Sequence, residues 1–184
     1  MDYLAFAHGQ TQSKVWLCET LEPLLPKRNT VAILGSWYNL LGFMMLTRKP
    51  NSYQSILGID VDPNVKNIAD KLCEGWMMCD TCIVKNITAD VNNLFYQGYN
   101  VVINCSVEHM NNNGWFENIM PGTLVCLQSS NIVEADSTWN IINPNRTIEE
   151  LQNKYPLSHT LFLGEKDITY ESWGYKRLML IGVK

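Results

Sequence analysis

The sequence predicts an α/β protein built on a doubly wound, mostly parallel sheet, and three features carry that prediction. Val31-Ala-Ile-Leu-Gly-Ser-Trp-Tyr-Asn39 reads as a buried strand running into a turn and then an apolar helix. Ser55-Ile-Leu-Gly-Ile-Asp-Val-Asp-Pro63 reads as a second buried strand that ends on a carboxylate and opens another helix. Strand and helix then alternate through five parallel candidates, the pattern of right-handed βαβ crossovers. The last two strands have no helix between them and are expected to pair as an antiparallel hairpin at one sheet edge.

An amphipathic helix is expected over Ser13 to Leu25, with Val15, Cys18, Leu21 and Leu25 on one face and Pro26 as its stop. Val31 to Leu34 is a short apolar strand. Leu40 to Leu46 is apolar all round, which suits a helix buried between the sheet and an outer layer. Lys49-Pro-Asn-Ser52 breaks it. After the strand Ser55 to Asp60, Asp62 supplies an N-cap and Pro63 a first helical residue. Val65, Ile68, Ala69, Leu72 and Trp76 follow at helical spacing. Further strands are expected over Cys82 to Ile87, Tyr99 to Asn104 and Leu124 to Gln128, the last announced by the turn Pro121-Gly122. Thr147 and Glu150 are spaced for a capping box on a helix reaching Lys154. Two strands close the chain, near Thr160 to Gly164 and Tyr175 to Val183.

The 184 residues are 46% hydrophobic and 17% charged, a globular composition with enough apolar material for one sizeable core. A net charge of −4, with no run of Lys or Arg, argues against a broad electrostatic grip on nucleic acid. A local patch formed in the fold leaves RNA open. No stretch approaches the ~20 apolar residues that cross a bilayer, so no membrane partner is expected. The first residues lack the positive region of a signal peptide. The expected location is therefore the cytoplasm, with the six cysteines as reduced thiols. Cys73, Cys79 and Cys82 supply at most three ligands, and His8, His109 and His159 stand at no ligand-like spacing to them. No metal is expected, and these thiols read as buried or half-buried. Cys105 and Cys126 read as core, as do Trp115 and Phe116.

A turn after one parallel strand, with an acid at the tip of the next, is how a doubly wound sheet holds a nucleoside. The turn offers backbone N–H groups and a helix N-terminus, and the acid offers two oxygens to a ribose diol. Here the turn is at Gly35 and the acid is Asp60. Asp90 follows the third strand. Tyr99-Asn-Val-Val-Ile-Asn-Cys-Ser-Val-Glu-His-Met110 and Pro121-Gly-Thr-Leu-Val125 supply the fourth and fifth. In this order the motifs resemble the class I S-adenosylmethionine-dependent methyltransferases over nearly the whole chain. Ile103 to Met110, Leu127 to Asn131 and Tyr175 to Gly182 look more narrowly like small methyltransferase-like proteins of marine bacteriophages, which would make the location a host cytoplasm.

The resemblance implies a seven-stranded Rossmann-like sheet with an antiparallel final strand, and S-adenosyl-L-methionine as cofactor. It implies one methyltransferase-like domain over 1–184, with an N-terminal helix over about 12–25, a cofactor half over about 30–95 and an acceptor half over about 99–184. Gly35, Ser36 and Trp37 would form the cofactor turn. Asp60 and Val61 would meet the ribose, and Asp90 and Val91 the adenine. Asn104 would close the site from the fourth strand. The chain departs from the family at the turn itself: Gly-x-Gly-x-Gly is replaced by Gly35, Trp37 and Asn39, and the acid expected ahead of it is Ile33. Trp37 could then form a wall of the pocket. The Asp/Asn-Pro-Pro-Tyr motif of amino-methylating relatives is absent after Asn104, which argues against methylation of nucleic-acid bases.

Each candidate also has a structural reading. Asp90 could equally cap a short helix at Val91. His109, with Asn104 beside the fourth strand, could take a proton from an acceptor or cap the following helix. Glu108, Gln128 and Asn131 lie where strand ends face an acceptor, though Gln128 and Asn131 could brace loops instead. Tyr175 and Arg177 share a strand face, where Arg177 could clamp an anion or form an internal salt bridge. The activity so implied is methyl transfer to a small-molecule or peptide acceptor. The alternatives are an aminopropyl-type transfer or cofactor binding without catalysis. The acceptor would be recognised by the loops after strands four and five, by the N-terminal helix, or by a second subunit in a homodimer.

Overall fold

The computed structural model describes residues 2–78, 81–132 and 140–184. Its sheet has seven strands: β1 (Asn29–Leu34), β2 (Tyr53–Asp60), β3 (Ile83–Thr88), β4 (Val101–Asn104), β5 (Leu124–Ser130), β6 (His159–Thr169) and β7 (Gly174–Val183). The order is β3-β2-β1-β4-β5-β7-β6. The first five are parallel; β7 runs antiparallel between β5 and β6. The hairpin therefore sits at the sheet edge with β6 outermost. Strand order reverses between β1 and β4, and in open α/β sheets ligands bind beyond the strand ends at such a point.

The apolar runs of β1 and β4 follow from burial on both faces. Val31 and Ile33 join a core with Leu17, Leu21, Met45 and Met179. Ala32 and Leu34 face the opposite way, onto Val102, Trp115 and Leu151. The first core is closed by α1 (His8–Leu21), α2 (Leu40–Arg48) and α3 (Pro63–Met77). The second is closed by the short α4 (Gly114–Glu117) and by α5 (Ile148–Lys154). Trp115, Phe116 and Tyr155 stack edge to face or tilted within it.

Two elements differ from expectation. α1 begins at His8 and ends at Leu21, not Ser13 to Leu25; a 3-10 turn over Glu22–Leu24 continues toward Pro26. Its polar first turn is held by tertiary contact: Gly9 N donates to Tyr170 Oη at 3.0 Å, beyond the end of β6. A Cβ on Gly9 would lie 2.5 Å from Tyr175 Oη and 2.6 Å from Tyr170 Oη, so the close approach needs glycine. β6 also runs well past Gly164, because pairing with β7 extends from His159 to Thr169. Cys73, Cys82 and Cys126 are core residues, while Cys105 is half-buried just past β4. Cys79 lies outside the described residues. Among those described, no group of three or more His, Cys, Asp or Glu is placed to hold a metal, and no helix is long and apolar enough to cross a membrane.

α3 starts as its sequence predicts. Asp62 accepts from Asn64 N at 2.9 Å, and Pro63 follows at the first helical position. At α5, Thr147 accepts from Glu150 N at 3.3 Å, but Glu150 Oε2 accepts from Arg146 N at 2.7 Å, so the capping box is displaced by one residue. Asp62→Ala is expected to lower the unfolding free energy by about 1 kcal/mol, read from a denaturant titration.

Candidate functional site

A cavity of about 500 Å³ opens beyond the carboxyl ends of β1, β2 and β4, against the first turns of α1. Its structure starts with the turn after β1. Gly35, Trp37 and Asn39 have φ of 61°, 51° and 53°. These are the three positions where the resemblance calls for glycine, so the left-handed backbone is kept although two side chains are not glycine. At Gly35 glycine is required: a Cβ would also meet Ser106 Cβ at 2.9 Å.

The other two positions carry a strain of about 1–3 kcal/mol each, which neighbouring bonds must offset. Trp37 N donates to Asp60 Oδ2 at 2.8 Å. Asn39 Oδ1 accepts from Gly42 N at 3.2 Å, capping α2, and its Nδ2 donates to Asn86 Oδ1 at 2.8 Å. Asn86 Nδ2 in turn donates to Asp70 Oδ1 at 3.0 Å. Asparagine tolerates αL better than most residues and here uses both ends of its amide. Trp37 lines the cavity and packs against Tyr38.

At the tip of β2, Asp60 Oδ1 accepts from Asp62 N at 3.1 Å, while Oδ2 holds the Trp37 N–H. Each carboxylate oxygen keeps acceptor capacity beyond that one bond. Val61 is 70% exposed at the cavity rim, and Ser36 and Val91 line its wall. Asp90 lines the cavity and also caps the 3-10 turn Val91–Asn93, accepting from Asn92 N at 2.9 Å. Both readings of Asp90 are thus compatible with its place.

Beyond β4 the wall becomes charged. Glu108 and Arg177 line it, 3% and 4% exposed, with Arg177 Nη1 donating to Glu108 Oε1 at 2.7 Å. Arg177 Nη2 donates to the Cys105 carbonyl at 2.8 Å. Arg177 is therefore committed to an internal pair, though one that faces the cavity. Lys14, from α1, reaches the same wall and donates to Gln10 Oε1 at 2.7 Å. Burial pushes its pKa down to about 8; Arg177 lowers it further, against opposing contributions from Cys105 and Glu108. Burial raises the Cys105 thiol to about 11, so it is neutral near pH 7. Lys14, Gln10 and Cys105 carried no sequence signal of function. The packing of α1 over the β1–β4 crevice brings in Lys14 and Gln10, and the exit of β4 brings in Cys105.

His109 lies on the cavity rim in the 3-10 turn Val107–His109, exposed, with Nδ1 3.0 Å from the Asn140 carbonyl. A carbonyl only accepts, so Nδ1 carries the proton and Nε2 is the acceptor of the neutral ring. The structure does not bring the remaining candidates to this cavity. Asn104 is fully buried; its Oδ1 accepts from Ser106 N at 2.9 Å and shapes the turn after β4. Gln128 is fully buried with Nε2 donating to the Ser13 carbonyl at 3.0 Å, tying β5 to α1. Asn131 and Tyr175 line a separate, shallower cavity of about 230 Å³ beside β7. There Asn131 Oδ1 accepts from Lys176 N at 2.8 Å.

No protein-family profile matches the chain, and no curated protein does. Solved structures do. The chain is similar to the YcgJ protein of Bacillus subtilis, at 10% identity over 95% of this chain and 98% of that one, with a TM-score of 0.68. It is similar to the N-methyltransferase NodS of Bradyrhizobium japonicum, at 10% identity over 95% and 97%, with a TM-score of 0.65. It is also similar to an S-adenosylmethionine-dependent methyltransferase of Thiobacillus denitrificans in complex with S-adenosyl-L-homocysteine. There the identity is 15% over 65% of this chain and 48% of that one, with a TM-score of 0.51. At these identities the likeness establishes the fold: a seven-stranded, mostly parallel sheet with antiparallel C-terminal strands.

The Lys14 shift has a testable sign. Its folded pKa of about 8 lies below the ordinary 10.5, so the folded protein binds fewer protons between those values and this group's contribution to stability rises with pH across that window. Lys14→Met is expected to melt higher than wild type at pH 7. The gap should narrow as pH rises above 8, as followed by thermal unfolding of both proteins in parallel.

Proposed function

We propose that the protein binds S-adenosyl-L-methionine in the large cavity and transfers its methyl group to a small-molecule or peptide acceptor. The observation that carries this reading is Asp60. Its carboxylate sits at the tip of β2, is locked to the β1 turn through Trp37 N–H, and keeps an acceptor on each oxygen for a ribose diol. The fold of the methyltransferase neighbours supports the same placement. Val61 and Val91 would flank the nucleoside, and Asp90 would accept from the adenine amino group on lone pairs its capping bond leaves over.

When bound, the cofactor supplies a methyl carbon already made electrophilic by its sulfonium, so the protein's own work is alignment and proton removal. His109 is the proton acceptor in this reading. Its Nδ1–H is fixed on Asn140, which sets the tautomer and presents Nε2 as the base. The location proposed is the cytoplasm, that of a host cell if the chain is phage-encoded.

Two measurements test this. Asp60→Asn should weaken S-adenosylhomocysteine binding by roughly 1.5–3 kcal/mol in calorimetry, the range for hydrogen bonds with one charged partner. Some stability should go with it, because the amide can keep only one of the two backbone N–H bonds. Unchanged affinity removes Asp60 from the site and the reading with it. For His109→Gln, a screen with radiolabelled methyl donor must first identify an acceptor. Turnover should then fall by about 10²–10⁴ with cofactor affinity nearly constant, and full activity in the variant ends the assignment. The product separates the rival reaction: adenosylhomocysteine marks methyl transfer, methylthioadenosine an aminopropyl-type transfer.

A further inference from the structure

The charged wall between α1, β4 and β7 has a pattern that the ion pair alone does not explain. Glu108 Oε2 and Arg177 Nε are both buried, and neither has a hydrogen-bond partner among the described residues. Unpartnered buried groups of this kind cost free energy, and charged ones cost more. The two are opposite in character, one an acceptor and one a donor, and both belong to a single pair facing the cavity. The Lys14 ammonium lies on the same wall and, among the described residues, is bonded to the neutral Gln10 amide alone.

A plain anion would satisfy Lys14 and Arg177 Nε but leave Glu108 Oε2 bare. A plain ammonium would do the reverse. A ligand carrying an ammonium and a carboxylate on one carbon answers all three. The sequence shows where such a need arises, because the acid that the family places ahead of its glycine turn is Ile33 here, and Ile33 lines this same cavity.

We propose that Glu108, Arg177 and Lys14 form a subsite for an α-amino-acid head group. Glu108 accepts from the ammonium, and Lys14 with Arg177 Nε donates to the carboxylate. The head group is that of the cofactor's methionine end, so this inference rests on the proposed function. It assigns to the β4 exit, β7 and α1 a task that the family gives to the β1 strand. Arg177 keeps its bond to Glu108 throughout and orients the free oxygen.

Calorimetry with two nucleosides tests it: S-adenosylhomocysteine, which carries the head group, and methylthioadenosine, which lacks it. The wild-type protein should bind the first at least about tenfold more tightly, the factor for charge-assisted bonds. Glu108→Gln places an amide donor opposite the ammonium, and Lys14→Met removes the ammonium partner of the carboxylate. Each should lower adenosylhomocysteine affinity by about tenfold or more and leave methylthioadenosine within about twofold. Lys14→Met keeps the buried pair intact, so it carries the test if Glu108→Gln does not fold. Equal wild-type affinities, or equal losses for both nucleosides in Lys14→Met, overturn the head-group subsite and leave the nucleoside site standing. Binding of neither nucleoside by the wild type overturns the proposed function itself, and this inference with it.

Discussion

The carboxylate of Asp60 joins three pieces of chain that would otherwise be independent. One oxygen holds Trp37 N–H from the turn after β1, and the other holds Asp62 N–H at the entry to α3. The first bond helps to offset a left-handed tryptophan, a conformation that L side chains resist through the clash of Cβ with the following carbonyl. It acts together with the Ser36 N–H bond to the Ile59 carbonyl and the Asn39 N–H bond to the Ser36 carbonyl, which hold the same turn. The group that orders the turn thus also lines the cavity, with acceptor capacity left on each oxygen.

A second polar line runs under this turn. Asn39 joins Gly42 N–H to Asn86, and Asn86 reaches Asp70 on α3. Buried amides are costly unless both ends are used, and Asn39 uses both. Gly58 makes room for them, since a Cβ there would lie 2.8 Å from Asn39 Nδ2 and 2.5 Å from Asn86 Oδ1. Trp37 and Asn39, at two positions where the resemblance calls for glycine, therefore hold a left-handed backbone within a hydrogen-bonded network. A left-handed backbone at residues other than glycine is possible because φ is decided by the sum of contacts, not by one residue.

The opposite wall follows a different logic. Glu108 and Arg177 are almost wholly buried, and such pairs gain little net stability, because desolvation offsets most of the attraction. A half-buried lysine beside them adds a further cost, visible as its lowered pKa. Costs of this kind concentrate at functional sites, where ionisable groups are held in states that bulk water would not favour. Asp60, Asp62 and Asp90 line one end of the cavity, and Lys14 with the Glu108–Arg177 pair lines the other.

Local patterning was enough to read β1, β2, α2, α3 and the closing hairpin, because apolar runs, a proline after an N-cap acid and paired strands each leave a signal within a few residues. It also set Gly35, Asp60 and Asp90 at the ends of successive strands, and the folded chain gathers all three on one cavity. It could not separate Glu108 and Arg177 as a pair from the same residues acting singly, since they are brought together only when β7 inserts beside β5. Nor could it place Gln128, Asn131 and Tyr175, whose strand faces turn toward α1 or a second cavity and not toward the first. Lys14 lies off the apolar face of the expected helix, and Gln10 lies ahead of its expected start at Ser13. Only the packing of α1 across the β1–β4 crevice makes them part of a wall, because burial and charge neighbourhood are properties of the folded arrangement and have no local period in the chain.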